Sequence, residues 1–310
     1  MIRLRQIIRE NRSKVPLLYY LLWKGKMVLS TGSSHVKVVT IQEATALTLK
    51  WAEKLPNNYD AIIGIARSGL WIASILALKF GRPLSTPNNF VHGEVWQSLH
   101  VEKPKIHSVL LVEDDVIHGR QIRRAYRQLK QFDSTLKIET ASLFVTSEAK
   151  NLIDYYYAVR NPPLLYEWTL LTNMGEIGKI AVDMDGVLCE NCPSEIDLNE
   201  DRYIKWLETA KPYLIPQFQI DAIVTARLEK YRELTEAWLK KHGVKYKSLF
   251  MLKVPSKKER NFDVIINHKA DVIRSVQPFW FWESNMMEAE AIKRKVRLPV
   301  LCIGNMTLLS

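Results

Sequence analysis

The chain has few cysteines, no long apolar run and no internal repeat. Its three cysteines are too few for a disulfide framework, which favours a reducing compartment. Cys189 and Cys192 have the spacing of half a zinc knuckle, but the second pair that a tetrahedral zinc site needs is missing. No apolar run approaches the roughly 20 residues of a membrane helix, and the start does not read as a secretory signal peptide. We therefore expect a cytoplasmic protein, and structural zinc is disfavoured.

Acidic residues are also in short supply relative to basic ones. The 310 residues include 33 Asp and Glu against 44 Lys and Arg, a formal net charge of +11. Such an excess indicates a partner or substrate of opposite sign, and nucleic acid, an anionic membrane face and a polyphosphate all qualify. A chain that is 47% hydrophobic and 25% charged is not collagen-like, low-complexity or wholly disordered. Its length corresponds to roughly two domains of about 150 residues.

A basic, aromatic segment opens the chain at residues 1–34. Seven arginines and lysines surround the apolar stretch 15–23, and Glu10 is the one acid in the first 26 residues. The segment is suited to a membrane surface, with aromatic rings among the headgroups and cations on anionic lipid. It is also suited to a helix that packs on the first domain with its basic residues in solvent. Both interpretations stay open.

Apolar runs alternate with amphipathic ones, which favours parallel sheets with crossover helices. We predict strands at 59–65, 108–112, 138–145, 179–182, 220–224 and 278–282, and helices at 70–80, 121–132 and 229–242. Prolines and glycines between Pro162 and Gly178 indicate a domain junction. The expected fold is α/β, with two Rossmann-like domains at 1–170 and 175–310. The polar stretch 81–107 is long for a connection, which is typical of functional loops.

The strand at 108–112 is followed by three acids and then by a glycine turn. The acids are Glu113, Asp114 and Asp115, and Gly119 precedes the next helix. Ligands of open parallel sheets bind at the carboxyl ends of the strands. A glycine turn lets backbone N–H groups converge on a phosphate at a helix N-terminus, and adjacent carboxylates accept hydrogen bonds from vicinal hydroxyls. The combination predicts a sugar-phosphate site.

Residues 62–73 resemble the pyrophosphate loop of type I phosphoribosyltransferases, and residues 109–121 resemble that family's signature for phosphoribosyl pyrophosphate (PRPP). The resemblance covers about 35–165. It implies that Glu113 and Asp114 hold the ribose hydroxyls and that Mg²⁺ bridges diphosphate and ribose oxygens. The implied phosphate-binding residues are Ala66, Arg67, Ser68 and Gly69 for pyrophosphate, and Ile117, His118, Gly119, Arg120 and Gln121 for the 5-phosphate.

The phosphate turn departs from the family's usual pattern. His118 and Gln121 replace residues that usually carry hydroxyls, so phosphate affinity is expected to depend on backbone amides, His118 and Arg120. Ile117 stands where several base-salvage members carry an acid, which argues against purine salvage. Asp115, at a commonly apolar position, is a candidate general base for an acceptor hydroxyl; the alternative is a solvent-facing acid.

A second apolar strand, at 180–182, ends in Asp183 and Asp185. Side chains two apart on an extended segment share a face, so one carboxylate can attack phosphorus while the other carries the proton. The pattern resembles the first motif of haloacid dehalogenase-like phosphatases, and the resemblance extends through about 178–306. It implies an aspartyl-phosphate on Asp183 and an acid–base role for Asp185.

The same resemblance implies further site residues. Residues 224–227 match the second motif, which makes Thr225 the hydroxyl for the phosphoryl oxygens. Lys269 is predicted to neutralise charge, and its rivals are Lys253, Lys257 and Lys258. Mg²⁺ is predicted on Asp183, Asp185 and Glu283. Only about 35 residues separate the two motifs, which predicts a small or absent cap.

The two motif sets in one chain indicate a transfer followed by a dephosphorylation. The pairing resembles dual-domain ribofuranosyltransferases of bacterial surface-polysaccharide synthesis, which make O-antigen or capsule. It implies a bifunctional phosphoribosyltransferase and phosphomonoesterase that acts on a glycan carried by polyprenyl diphosphate, with peripheral contact at the inner membrane face and no nucleic acid partner. Two alternatives stay open: an enzyme that forms a nucleoside from a base-like metabolite, and a nucleic-acid-binding regulator built on an inactive transferase domain.

Overall fold

A computed structural model describes residues 35–97, 105–161, 165–173 and 179–309. The chain divides into two compact units. The first unit is residues 40–164, and the second comprises the described residues of 35–39 and 165–309. The N-terminal segment 1–34, for which membrane contact is one prediction, lies outside the described residues. Among the helices described, none is long and apolar enough to cross a bilayer.

Both units are built from strands and helices. The described strands are β1 (His35–Lys37), β2 (Ala61–Gly64), β3 (Leu84–Ser85), β4 (Ser108–Val116), β5 (Lys137–Val145), β6 (Tyr155–Val159), β7 (Ile180–Val182), β8 (Ile220–Leu228), β9 (Tyr246–Leu252), β10 (Trp280–Glu283), β11 (Val300–Cys302) and β12 (Thr307–Leu309). The described α-helices are α1 (Ile41–Ala52), α2 (Ser68–Phe80), α3 (Pro87–Val91), α4 (Arg120–Phe132), α5 (Glu167–Asn173), α6 (Ser194–Asp197), α7 (Glu200–Thr209), α8 (Arg232–Lys241), α9 (Phe262–Val276) and α10 (Met286–Lys295).

The first unit contains a five-stranded sheet in the order β3-β2-β4-β5-β6, and all its neighbouring strands are parallel. The central strands are apolar because helices cover them. Ile122, Ala125 and Leu129 of α4 are buried, and their spacing places them on one face of that helix. The parallel sheet with crossover helices is the α/β arrangement that the sequence predicts.

Strand β4 is longer than the prediction of 108–112. It pairs with β5 as far as Val116, opposite Val145, so the three acids lie inside the strand and not after it. The interval 81–107 also differs from the expected irregular loop, because it contains β3 and the short helix α3. Residues 98–104 of that interval lie outside the described part of the chain.

The second unit contains a seven-stranded sheet in the order β1-β12-β11-β10-β7-β8-β9. The five strands from β11 to β9 are parallel to their neighbours, and β12 and β1 add an antiparallel edge. Because β1 pairs with β12, residues 35–39 belong to this unit, whereas the predicted limits 1–170 place them in the first domain. The mainly parallel sheet is as predicted.

Helices and loops cover both faces of the second sheet. Val182 and its neighbour Ala181 belong to separate apolar clusters, because successive side chains of a strand point to opposite faces. The interval between β7 and β8 holds only the two short α-helices α6 and α7. Strand β7 lies between β10 and β8, which brings the carboxyl ends of three strands side by side.

Candidate functional site

The first candidate site is formed where the loop after β2 meets the middle of β4. The N–H group of Ile65 donates to the carbonyl of Val112 at 2.9 Å, which holds the loop against that strand. A Cβ atom on Gly69 would lie 2.9 Å from both the Val112 oxygen and the Cα atom of Glu113. Only glycine permits this approach, and it sets the start of α2 directly against the acidic part of β4.

The predicted pyrophosphate loop is partly exposed at this junction. Ala66 and Arg67 are exposed, Ser68 is half-buried and Gly69 is buried. The loop leads directly into α2, whose first residue is Ser68. A helix N-terminus with exposed residues before it favours an anion, because the first N–H groups lack helical acceptors. The arrangement is suited to the pyrophosphate contact that the sequence predicts, which stays a prediction.

The acids of β4 are crowded and largely removed from solvent. Glu113 and Asp114 are 6% and 7% exposed, and Asp115 is half-buried. The pKa of Glu113 is raised to about 9, first by burial and next by the negative charge of Asp114. Alternation along the strand places Glu113 and Asp115 on one face and Asp114 on the other. Asp115 is thus neither fully solvated nor deeply buried, and its role as a general base stays a prediction.

The predicted 5-phosphate turn is exposed around a buried glycine. Ile117, His118, Arg120 and Gln121 are exposed, whereas Gly119 is buried. Gly119 has a φ of 67°, a left-handed conformation that glycine adopts without steric cost, and it lies at the N-cap of α4. The turn therefore directs the N-terminus of α4 to the same edge of the sheet as the acids.

Two side chains that the sequence analysis does not single out fix this turn. Arg123 Nη2 donates to the carbonyl of His118 at 2.7 Å. Thr146 Oγ1 donates to the carbonyl of Ile117 at 2.9 Å. These two hydrogen bonds fix the turn through residues that lie outside it. Arg123 follows Gly119 by four residues, and residues at this spacing are neighbours on the surface of a helix. This spacing is the sequence signal that could have identified Arg123.

The second candidate site centres on a buried lysine. Lys269 Nζ donates to Asp183 Oδ2 at 2.8 Å, to Glu283 Oε2 at 2.8 Å and to Glu288 Oε2 at 2.7 Å. Asp183 follows β7, and Glu283 ends the neighbouring strand β10, where Trp282 pairs with Val182. Lys269 comes from the middle of α9 and is 1% exposed. The sheet register and one helix thus bring together residues far apart in sequence.

Burial and charge act in opposite directions on the titration of this cluster. Burial raises the pKa of Asp183 well above its ordinary value, since the positive charge of Lys269 offsets the effect only in part. Burial lowers the pKa of Lys269, but the charges of Asp183, Glu283 and Glu288 outweigh it, and the pKa lies well above its ordinary value. The lysine therefore stays positively charged, as the neutralising role predicted for it requires.

The cluster also fits a divalent cation. Carboxylate oxygens of Asp183, Glu283 and Glu288 lie within 4.8 Å of one another. With all three carboxylates ionised, they and the ammonium carry a formal charge of −2, which a divalent cation would neutralise; this charge would also favour the ionised form of Asp183, which burial opposes. Mg²⁺ prefers oxygen ligands of this kind. Glu288, in the first turn of α10, is not among the sequence-predicted residues; its position five residues after Glu283 is the signal that could have identified it.

The second aspartate of the predicted pair has a different partner. Arg227 contacts Asp185 through Nε, at 3.0 Å from Oδ1 and 3.2 Å from Oδ2, and through Nη2, at 2.6 Å from Oδ1. The Arg227 side chain is fully buried, and that of Asp185 is 27% exposed. The third carboxylate of the Lys269 cluster comes from Glu288 and not from Asp185. Metal-ligand and acid–base roles of Asp185 stay predictions.

The remaining predicted residues of this site have partners other than Asp183. Thr225 is fully buried, and its Oγ1 accepts a hydrogen bond from the N–H of Arg227 at 3.2 Å. Lys257 Nζ donates to Asp197 Oδ1 at 3.0 Å. The other two rival lysines are exposed: they are Lys253 and Lys258. Of the four lysines considered, Lys269 is the one that contacts Asp183.

The first unit is an α/β domain with a parallel five-stranded sheet, and its acids and the glycine turn before α4 lie at one edge of that sheet. Residues 39–168 match the family described as phosphoribosyl transferase domain. The chain therefore contains a phosphoribosyltransferase domain, which the sequence resemblance predicted over about 35–165. None of the curated proteins compared with the chain matches it.

Several solved structures are similar to part of the chain. A purine phosphoribosyltransferase from Pyrococcus horikoshii is 22% identical with a TM-score of 0.34, and the match covers 43% of this chain and 94% of that one. A xanthine-guanine-hypoxanthine phosphoribosyltransferase from Helicobacter pylori is 15% identical with a TM-score of 0.34, over 42% and 90%. An orotate phosphoribosyltransferase from Aeropyrum pernix is 23% identical with a TM-score of 0.30, over 38% and 70%.

Proposed function

We propose that the chain is a bifunctional ribofuranosyltransferase of bacterial surface-polysaccharide synthesis. It takes a 5-phosphoribosyl group from PRPP, transfers it to a glycan and then removes the 5-phosphate, which leaves β-ribofuranose. One observation carries the proposal: a chain that contains a phosphoribosyltransferase domain also buries Asp183 against Lys269 in a second unit, beside Asp185. Transfer alone does not use that second set of residues.

In the transfer step, an acceptor hydroxyl attacks the anomeric carbon of PRPP while the bond to pyrophosphate breaks. Displacement inverts the α-linked donor and gives the β-linked product. The N-terminus of α2 and Arg67 stabilise the negative charge on departing pyrophosphate. Glu113 and Asp114 hold the ribose hydroxyls, and Asp115 accepts the acceptor's proton. Mg²⁺, when bound, offsets the charge of the diphosphate.

In the second step, the Asp183 carboxylate attacks phosphorus and the bond to the sugar 5-oxygen breaks. Asp185 donates a proton to that oxygen and then takes one from the water that hydrolyses the aspartyl-phosphate. Lys269 and Thr225 stabilise the phosphoryl oxygens. Asp183, Glu283 and Glu288 would hold Mg²⁺, which supplies further charge neutralisation for the phosphoryl group when bound.

The acceptor in this proposal is a glycan carried by polyprenyl diphosphate at the inner face of the cytoplasmic membrane. The protein is then a cytoplasmic or peripheral one, and its excess of 11 positive charges serves phosphate substrates and an anionic lipid face. The basic, aromatic segment 1–34 is one candidate for that peripheral contact.

The nucleoside-forming alternative receives less support from the aromatic residues of the first unit. It would be favoured by an aromatic pocket between Phe90 and Trp96. Phe90 is buried in the core and packs edge-on against Phe132, with ring centroids 6.0 Å apart. A cavity of about 660 Å³ near Trp96 has that residue as its one aromatic side chain among the described residues. It lies beside Asp60, at the opposite end of β2 from the pyrophosphate loop.

The test is to incubate the protein with PRPP, Mg²⁺ and candidate acceptors and to follow acceptor mass. The wild type is expected to add plain ribose, and both Asp183→Ala and the shape-conserving Asp183→Asn are expected to add phosphoribose. Asp271→Asn is the matched control, since that aspartate is exposed on the same helix as Lys269. Modification of a free base with every glycan untouched would favour the nucleoside alternative and reject the proposal.

A further inference from the structure

Helix α4 of the first unit presents a strongly basic face. Its 13 residues include five cations and no acid. The cations are Arg120, Arg123, Arg124, Arg127 and Lys130. At 100° per residue they fall on one arc of the helix, opposite the buried face formed by Ile122, Ala125 and Leu129. The four arginines are exposed, and Lys130 is half-buried.

Within the described part of the chain, the charge of this face is offset only at its end, where Lys130 attracts Asp133. No ion pair there involves any of the five cations. Arg123, Arg127 and Lys130 donate only to backbone carbonyls. Asp133 is the next acid along the chain, and its carboxylate accepts two hydrogen bonds from Thr135. The face therefore complements a negatively charged partner.

Apolar side chains border the cations. Tyr126 and Phe132 lie on the two flanks of α4 and are 36% and 53% exposed. Ile117, just before the helix, is exposed, and so is Leu152, which lies against Gly119 of the phosphate turn. Cations edged by aromatic and aliphatic groups are typical of surfaces that lie on lipid headgroups, because the cations contact phosphates while the apolar groups enter the interface.

We infer that the exposed face of α4 binds an anionic lipid surface. A nucleic acid would satisfy the cations but would leave the bordering apolar groups in water, so lipid is the partner that fits both features. The biological role of this lipid contact rests on the proposed function. The phosphate turn begins α4, so a membrane-bound α4 brings the PRPP site to the surface at which a lipid-linked acceptor is held.

The experiment measures sedimentation of the full chain with phosphatidylcholine vesicles, with and without phosphatidylglycerol. The wild type is expected to bind only the anionic vesicles and to be released by salt, because screening weakens exposed charge interactions. Arg124→Glu combined with Arg127→Glu should lower the apparent affinity at least about tenfold. Lys50→Glu combined with Lys79→Glu is the matched control, since it makes the same charge change on the exposed faces of α1 and α2.

Equal losses of vesicle affinity in the two double variants would reject the inference, because the net charge of the protein, and not this face, would then explain binding. Unchanged binding by the α4 variant would reject it as well and would leave the segment 1–34 as the lipid contact. Tighter binding to duplex DNA or RNA than to vesicles, lost in the α4 variant, would identify nucleic acid as the partner. Arg124→Gln with Arg127→Gln should give an intermediate affinity with an unchanged unfolding temperature. PRPP turnover, assayed separately without vesicles, tests the proposed function independently.

Discussion

The guanidinium of Arg227 binds the carboxylate of Asp185 through both Nε and Nη2, and the arginine is fully buried while the aspartate is partly exposed. Arg227 also lies over the ring of Trp206, 5.1 Å from its centroid, and donates to Cys189 Sγ at 3.3 Å. Its position is thus fixed on several sides. In the proposed dephosphorylation, this fixed arginine determines where Asp185 presents its carboxylate to the sugar 5-oxygen.

Replacing Arg227 should therefore impair phosphate release. We expect Arg227→Lys to lower kcat for phosphate release from ribose 5-phosphate by about 100-fold, because an ammonium cannot reproduce the two-point contact that positions the acid. Arg232→Lys is the control, since Arg232 forms partly exposed ion pairs with Glu229 and Glu236. The assay is run below the unfolding temperature of each variant. Unaltered phosphate release by Arg227→Lys would mean that Asp185 needs no such positioning.

Lys269 is the common partner of three carboxylates, so its removal should destabilise the second unit. We expect Lys269→Met to lower the free energy of unfolding by about 3–5 kcal/mol, because it leaves buried carboxylates without their cation. Added Mg²⁺ should restore part of the loss by binding Asp183, Glu283 and Glu288. Thermal unfolding with and without Mg²⁺ measures both effects, and the exposed Lys258→Met is the control. A Mg²⁺ effect no larger than that of the wild type would contradict the metal assignment.

Gly69 allows α2 to begin against β4, and a methyl group there has no space. We expect Gly69→Ala to cost about 1–3 kcal/mol of stability and to raise the KM for PRPP, because its Cβ would press on backbone atoms of Val112 and Glu113. Calorimetry and pyrophosphate release measure the two effects. Leu78→Ala, at a position on the same helix that is 85% exposed, should change neither. A Gly69→Ala variant with native stability and KM would show that the contact can relax.

The sequence predicts which residues form each site better than it predicts which other residues contact them. The apolar runs followed by acids indicate β4 and β7, because a parallel strand is buried along its length and ligands bind near its carboxyl end. They do not indicate that β4 continues through its acids to Val116. The same reasoning does not reveal that Arg227 faces Asp185 or that Glu288 joins Glu283, since these contacts depend on how distant segments pack. It also does not reveal that β1 joins the second sheet. The three residues of β1 are too few to show a pattern that indicates which sheet edge they pair with.

Stability of the first unit should decrease as pH rises, because Glu113 has a raised pKa. Between 4.5, its ordinary pKa, and about 9, the folded state holds a proton that the unfolded state has released. Stability therefore falls with increasing pH across this window. Glu113→Gln should remove much of that slope and stabilise the unit most near pH 9, with little change near pH 4.5. Denaturant unfolding at several pH values measures the slope; equal slopes in the two proteins would contradict the prediction.

Arg123 should be a positioning residue of the PRPP site. Its guanidinium holds the carbonyl of His118 and lies beside Gly119, where Nη1 is 3.4 Å from the position a Cβ would take. Arg123→Gln should raise the KM for PRPP by about tenfold with a smaller change in kcat, because a hydrogen bond from a charged group contributes roughly 1.5–3 kcal/mol. Arg124→Gln is the control in this vesicle-free assay, since Arg124 is exposed on the next position of α4 and has no side-chain hydrogen bond or ion pair to the rest of the described chain.

If both variants raised the KM equally, general attraction of PRPP to a basic helix would explain the effect, and the specific contact with His118 would not. Rescue by Arg123→Lys would indicate that charge at the turn is sufficient, whereas failure of that rescue would indicate that the planar guanidinium is needed to hold the carbonyl.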